Sequence, residues 1–197
     1  MKLPLLKNPS QKKSCLKNRI KKIGLFKVSG QALFSMLLVP FLRRKTRKRK
    51  AQLILQYSLS DADFNSKSTH AVSSVNDETC KQLLQQLQPS IVVVNGTRII
   101  SKKILQCTNA VFINMHVGIT PQYRGSHGGY WALRNNDIAN FGTTIHIVDT
   151  GVDTGGVLKQ AFTVPTAQDN FITYPVIQVA IGIAALKEVL PKIINNT

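Results

Sequence analysis

Asn114 and His116 directly follow the apolar run Val111-Phe112-Ile113. His146 lies within Thr143-Thr144-Ile145-His146-Ile147-Val148, and Asp149 and Asp153 lie in the Gly-rich stretch that comes next. An amide, an imidazole and a carboxylate brought together suit acyl transfer to an amine. Attack of an amine on a carbonyl builds negative charge on the oxygen, and donors already in place stabilise it. Asn114 donates through its amide, and a protonated His116 donates with charge. A neighbouring Asp favours that charged ring. The same carboxylate, directly or through a water, accepts the proton that leaves the amine.

Other chemistries fit less well. Cys107 and the serines have no base beside them, which disfavours a covalent acyl-enzyme. His116, His127 and His146 lack metal-ligand spacing and have no cysteine nearby, so no metal site is expected. Taken singly, a histidine in an apolar strand reads as a satisfied core residue, and Asp149 and Asp153 read as turn formers beside glycine. Only the combination points to catalysis.

The elements that must position these groups alternate. Asn76 can cap a helix running through Leu87, with Leu83, Leu84 and Leu87 on one face. Ile91-Val92-Val93-Val94 is a β-branched run of the kind buried on both faces of a parallel sheet. Ser101 can cap a short helix to Gln106. Residues 111–113 form the next buried strand, 129–135 a helix, and 143–148 and 157–164 two more strands. Pro175 opens a long apolar helix ending near Pro191. This alternation predicts an open α/β sheet, in which ligands sit beyond the carboxyl ends of the strands. Nearer the N-terminus, residues 20–28 and 52–57 read as strands. Ser29-Gly30 reads as a turn and cap before a first helix from Ala32 that ends near Pro40, and residues 58–69 read as a polar loop.

The charge is unevenly spread. The formal net charge is +17, yet residues 1–50 hold 16 Lys/Arg and no acid, while residues 51–197 hold 10 Lys/Arg against 9 Asp/Glu. That pattern describes a basic leader on a nearly neutral body rather than a uniformly basic nucleic-acid-binding domain. Residues 1–18 are expected to be a disordered leader and 19–197 a single domain. The leader's partner would be an anionic membrane surface, a nucleic acid, a phosphorylated substrate or none. Nucleic acid would bind only through these first 50 residues, although the basic clusters lack interleaved aromatics. The apolar run 32–42 is shorter than the roughly 20 residues that cross a bilayer, so a buried core helix without a membrane span is expected. Cys15, Cys80 and Cys107 are odd in number and unpaired in spacing, which favours a reducing, cytoplasmic setting.

The stretch FINMHVGITPQYRGSHGGYWALRNNDIANFGTTIHIVDTGVDTGGVLKQ resembles the folate-dependent formyltransferases, which comprise glycinamide ribonucleotide, methionyl-tRNA and nucleotide-sugar N-formyltransferases. Asn-x-His, a Pro-x-Tyr-Arg-Gly loop, Thr-x-His and an Asp-x-Gly loop follow one another in order. The resemblance extends weakly back to about residue 70. It implies a Rossmann-like, open, mostly parallel twisted sheet with helices on both faces and a shortened N-terminal part. It implies Asn114, His116 and Asp153 as the catalytic trio and 10-formyltetrahydrofolate as the formyl donor. By the same resemblance Arg98, Ile99 and Ile100, with Asp149 and Val152, would hold the folate. Ser29 and Gly30, as a reduced phosphate-contacting loop, would meet the acceptor together with Arg124 and Gly125. His146 stands where some members keep a structural or substrate-side histidine.

Arg124-Gly125 and Asp153-Thr154-Gly155 look more like the sugar and tRNA branches than the purine branch. A chain that stops at Thr197 leaves no room for a second, RNA-gripping domain. The expected acceptor is therefore the primary amine of a small, nucleotide-linked sugar, with glycinamide ribonucleotide as the alternative. A hydrolase acting on the folate with water and a folate-binding remnant without catalysis are the competing readings. No periodic pattern in the sequence gives the oligomeric state.

Overall fold

The computed structural model describes residues 20–21, 24–60 and 69–195. The chain divides between Lys48 and Arg49 into two compact units. The leader assigned to residues 1–18 lies outside the described residues, as does most of the loop expected at 58–69.

The N-terminal unit is helical where a strand was expected. Helix α1 (Leu25–Leu33) runs into a π-helical turn (Phe34–Leu38) and on into α2 (Val39–Lys45). The chain does not stop at Pro40. Proline within an α-helix lacks an N–H and clashes with the carbonyl four residues back. Here the wider turn immediately before Pro40 provides room for it. Nor is this a buried core helix: Phe26 is 90% exposed, Met36 74% and Leu37 64%. Ser29 and Gly30 lie inside α1 and form no turn or phosphate loop, and Ser29 Oγ donates to the Phe26 carbonyl at 2.9 Å. Residues 52–57 are not a strand either. They fall in α3 (Arg47–Gln56) and the turn that follows it, and Leu53 is buried.

The C-terminal unit carries the sheet. Helix α4 (Glu78–Leu87) is capped by Asp77, whose carboxylate accepts from the Cys80 amide at 2.8 Å. Asn76, the expected cap, ties down a loop instead. Its Nδ2 donates to the Ile99 carbonyl and its Oδ1 accepts from the Ser101 amide, both at 2.8 Å. Then follow β1 (Ile91–Val94), the short α5 (Lys102–Leu105), β2 (Val111–His116), α6 (Gly128–Arg134), β3 (Gly142–Ile147), β4 (Val157–Phe162) and α7 (Tyr174–Ile194).

The open four-stranded sheet has the order β1-β2-β3-β4. The expected α/β sheet is present, but its strand sense is mixed. Strands β1 and β2 are parallel, while the β2–β3 and β3–β4 pairs are antiparallel. Helices cover both faces, as expected. On one face Ile113, Met115 and Ile145 pack against Ala185 and Val189 of α7. Gly182 lets α7 come close: a Cβ there would stand 2.7 Å from Met115 Sδ and 2.8 Å from Thr143 Cγ2. On the other face Phe112 packs with Ile100 and Ile104, joined by Val75 and by Leu84 of α4.

Side chains alternate along a strand. Burying Ile113 and Met115 under α7 therefore turns Phe112, Asn114 and His116 to the opposite face. Phe112 closes that core, and Asn114 and His116 continue past it to the carboxyl end of β2.

Candidate active site

Strand register brings the reactive groups together. Asn114 pairs with His146 across the antiparallel β2–β3 ladder, and His116 pairs with Thr144, so all four share one face. Beside this point the β3–β4 register shifts between Ile145 and His146, an irregularity of the kind that re-aims side chains next to active sites. The loop after β3 returns Asp153 onto the same face. Asn114 Nδ2 donates to Asp153 Oδ1 at 3.2 Å and lies 3.2 Å from His146 Nε2. Asp153 Oδ2 is 3.4 Å from His116 Nδ1, and Asp153 Oδ1 is 3.4 Å from His146 Nε2. Asn114, His116 and Asp153 thus converge, and His146 joins them as a fourth member.

Hydrogen-bond chemistry assigns the roles of the ring nitrogens. His116 Nε2 stands 2.8 Å from the Tyr123 carbonyl, which can only accept, so this nitrogen carries a proton. Its other nitrogen faces the Asp153 carboxylate, so a doubly protonated His116 finds an acceptor at each N–H. His146 Nδ1 donates to the Ile147 carbonyl at 2.8 Å. Its Nε2 in the neutral ring is then an acceptor, matching the Asn114 amide.

Asp153 is held from several sides. The Gly125 amide donates to its Oδ2 at 2.8 Å, and Arg124 Nε donates to its backbone carbonyl at 3.1 Å. Of the two residues expected to meet the acceptor, Gly125 holds the Asp153 carboxylate and Arg124 its backbone carbonyl. Asp153 itself sits at φ 51°, in the left-handed region. Short polar side chains such as Asp and Asn adopt that region more readily than most residues do. Asp149 shapes the loop instead: its Oδ1 accepts from the Gly151 amide at 3.0 Å and the Thr154 hydroxyl at 2.6 Å. The Thr154 hydroxyl, foremost among these contacts, lowers the Asp149 carboxyl below its ordinary value.

The loop that follows His116 is fastened by groups the sequence did not single out. Buried Thr144 donates through Oγ1 to the Gly118 carbonyl at 2.8 Å and accepts from the Thr120 amide at 3.1 Å. Gln160 Nε2 donates to the Thr120 carbonyl at 2.6 Å. Tyr123, whose carbonyl holds His116, donates its hydroxyl to Asp137 Oδ2 at 2.8 Å. That bond raises the Tyr123 phenol above its ordinary value. Hydrogen bonds from Asn140 first, and then from Tyr123, lower the Asp137 carboxyl.

Across the site, the loop 95–101 leaves the carboxyl end of β1, where Val94 pairs with Asn114. Arg98 is exposed there and Ile99 is 63% exposed. Ile100 is buried against Ile104 and Phe112, where it supports the loop from beneath. Val152 is 46% exposed on the opposite loop.

The formyl transferase family model matches residues 30–172 of the chain. The chain belongs to the formyl transferase family. Among its relatives, the methionyl-tRNA formyltransferase of Finegoldia magna is 40% identical over 86 residues, covering 43% of this chain and 27% of that protein. The enzyme of the same name from Trichormus variabilis is 38% identical over 93 residues, covering 47% of this chain and 28% of that one. The chain therefore spans little more than a quarter of the length of these two curated relatives. Of the solved structures, phosphoribosylglycinamide formyltransferase from Bacillus halodurans superposes with a TM-score of 0.50 at 28% identity, covering 58% of this chain and 59% of that one. A sugar N-formyltransferase from a Shewanella species superposes with a TM-score of 0.52 over 81% of this chain and 66% of that one. At 20% identity that likeness concerns the fold alone. The formyl transferase match takes in every member of the polar cluster, Asn114, His116, His146 and Asp153.

Proposed function

We propose that this formyl transferase family chain moves a formyl group from 10-formyltetrahydrofolate to the primary amine of a small, nucleotide-linked sugar, in a cytoplasmic setting. The observation that carries the reading is the convergence of Asn114, His116 and Asp153 at the carboxyl end of β2, with separations of 3.2–3.4 Å.

The chemistry follows from the donors and acceptors. As the amine nitrogen bonds to the formyl carbon, Asn114 Nδ2–H and a doubly protonated His116 are the groups available to receive the developing negative charge on the oxygen. In the structure these N–H groups are engaged by Asp153, His146 and the Tyr123 carbonyl, so a donor must exchange one such partner for the substrate oxygen as charge develops on it. Asp153, directly or through a water, takes the proton from the attacking nitrogen. The bond from the formyl carbon to the folate nitrogen then breaks, and that nitrogen leaves protonated. The products are a formamide and tetrahydrofolate, with the amine proton delivered to the departing folate. Exposed Arg98 and Ile99 on one loop, with Asp149 and Val152 on the other, are the folate-side contacts of this reading. The support for the sugar acceptor is the Arg124-Gly125 and Asp153-Thr154-Gly155 sequence pattern.

A second acceptor, methionyl-tRNA, is favoured by the names of the relatives matched at 38–40% identity. Incubating the purified chain with 10-formyltetrahydrofolate and a set of amines separates the readings. The set is an amino sugar on a nucleotide, glycinamide ribonucleotide and methionyl-tRNA, with release of tetrahydrofolate followed. Release that depends on the amino sugar is the expected result. Release that needs methionyl-tRNA supports the second reading, glycinamide ribonucleotide dependence names the purine acceptor, and release without any amine marks a hydrolase.

A further inference from the structure

The N-terminal helix presents a surface that the formyl transfer site does not explain. It runs for 21 residues from Leu25 to Lys45, and an 18-residue window within it has a mean hydropathy of 1.6. Apart from Val28, none of those residues is buried. Phe26 is 90% exposed, Met36 74%, Leu37 64% and Phe41 62%. The apolar side chains are not confined to one stripe, since neighbours such as Leu25 and Phe26 point about 100° apart. A helix that is apolar all round belongs in an apolar surrounding, and an exposed patch of this extent marks an interaction surface. At about 1.5 Å per residue its apolar part, residues 25–42, is about 27 Å long, close to the roughly 30 Å hydrocarbon thickness of a bilayer.

Charge frames the apolar part. Lys27, one turn from the helix start, is the lone charged residue in 25–42, and a long lysine stem lets its ammonium reach a headgroup. From Arg43 the sequence reads Arg-Arg-Lys-Thr-Arg-Lys-Arg-Lys, and residues 1–50 contain no acid at all. A polybasic segment adjoining an apolar helix has the charge complementary to anionic phospholipid headgroups. Single-stranded nucleic acid would be expected to meet aromatic side chains among the basic ones. Residues 43–50 contain none, and nucleic acid would leave the apolar helix without a partner.

We propose that the helix Leu25–Lys45 anchors the chain in an anionic lipid bilayer, with its apolar residues in the hydrocarbon and the basic residues 43–50 at the headgroups. Flotation of the full chain on a density gradient tests this. The probes are vesicles of phosphatidylcholine alone and of phosphatidylcholine with phosphatidylglycerol, and aggregated protein sinks instead of floating. The chain should float with the anionic vesicles, and at least about tenfold less should float with the neutral ones. The variants L37D/F41D and R43Q/R44Q/K45Q should each lose flotation by a similar factor. Thermal unfolding without lipid checks that the C-terminal unit of each variant remains folded. A chain that stays at the bottom with both vesicles overturns the proposal. So does equal flotation with both, because the basic residues would then contribute nothing, or an L37D/F41D variant that floats like the parent, because charge alone would then account for the binding. Equal competition by RNA against the anionic vesicles, with the L37D/F41D variant unaffected, would assign the basic run to nucleic acid instead.

Discussion

Asp153 Oδ2 stands 3.4 Å from His116 Nδ1 while it accepts the Gly125 amide at 2.8 Å. One carboxylate thus orients the imidazole and is itself fixed by the loop that follows that imidazole. Asp153→Asn tests this relationship cleanly. Asn tolerates the left-handed backbone at this position, so the fold should survive with an unfolding midpoint close to the parent's. The charge beside His116 and the acceptor for the amine proton are both lost. Turnover should fall by about 10²–10⁴-fold, measured as tetrahydrofolate release under saturating donor.

Thr144→Val removes a hydroxyl without changing shape. It strands the Gly118 carbonyl and the Thr120 amide in a buried environment, since Thr144 serves both. Leaving such groups unpaired costs about 2 kcal/mol. Urea unfolding should show that loss, and activity should fall with it because the same loop carries the Tyr123 carbonyl.

Gly118→Ala acts on the imidazole directly. A Cβ at this position would lie 2.5 Å from the Tyr123 carbonyl oxygen and 2.6 Å from His116 Nε2. The bond between those two atoms must open to admit it. Misplacing a catalytic group by about 1 Å costs on the order of 10²-fold in rate. Turnover should drop by about that factor with substrate KM far less affected, as steady-state kinetics would report.

Arg49 and Asp169 make the prediction that depends on pH. Arg49 Nε and its Nη2 donate to the two carboxylate oxygens at 2.9 and 3.0 Å, and the Asp169 side chain is fully buried. Burial pushes that carboxyl up, but the guanidinium, with the Thr166 amide and the Thr166 and Thr173 hydroxyls, outweighs it and holds the carboxyl well below the usual range. The folded chain therefore resists this proton more than the unfolded chain does. The pair's contribution is whole above about pH 4, the ordinary carboxylate value, and is lost as the pH falls toward the folded value. Arg49→Gln should cost about 3 kcal/mol at neutral pH. The gap between variant and parent in denaturant unfolding should narrow as the pH falls below about 4.

Much of the C-terminal unit was legible. The β-branched run Ile91–Val94 and the apolar residues 111–113 are strands, and Asn114, His116 and Asp153 meet as expected. What escaped has physical causes. His146 reaches Asn114 through an antiparallel register, and the expectation of a mostly parallel sheet gives no such pairing. The fastening of His116 rests on a backbone carbonyl, that of Tyr123, which no side-chain pattern reveals. The contacts of Arg124 and Gly125 with Asp153 were not legible either, because a motif gives residue order, not direction of contact. The N-terminal misreading came from short windows. Residues 20–28 and 52–57 alternate enough to pass for strands, whereas the continuous helix from Leu25 to Lys45 is visible only over a longer span.

The central claim is most directly tested by following the formyl carbon itself. With an isotopically labelled formyl group on 10-formyltetrahydrofolate, carbon NMR should show the label moving into a formamide on an added primary amine. The transfer should require both the amine and an intact Asp153. Label that remains on the folate with every amine, or that appears as free formate at a rate indifferent to the amine, would contradict the assignment of Asn114, His116 and Asp153 as a formyl transfer site.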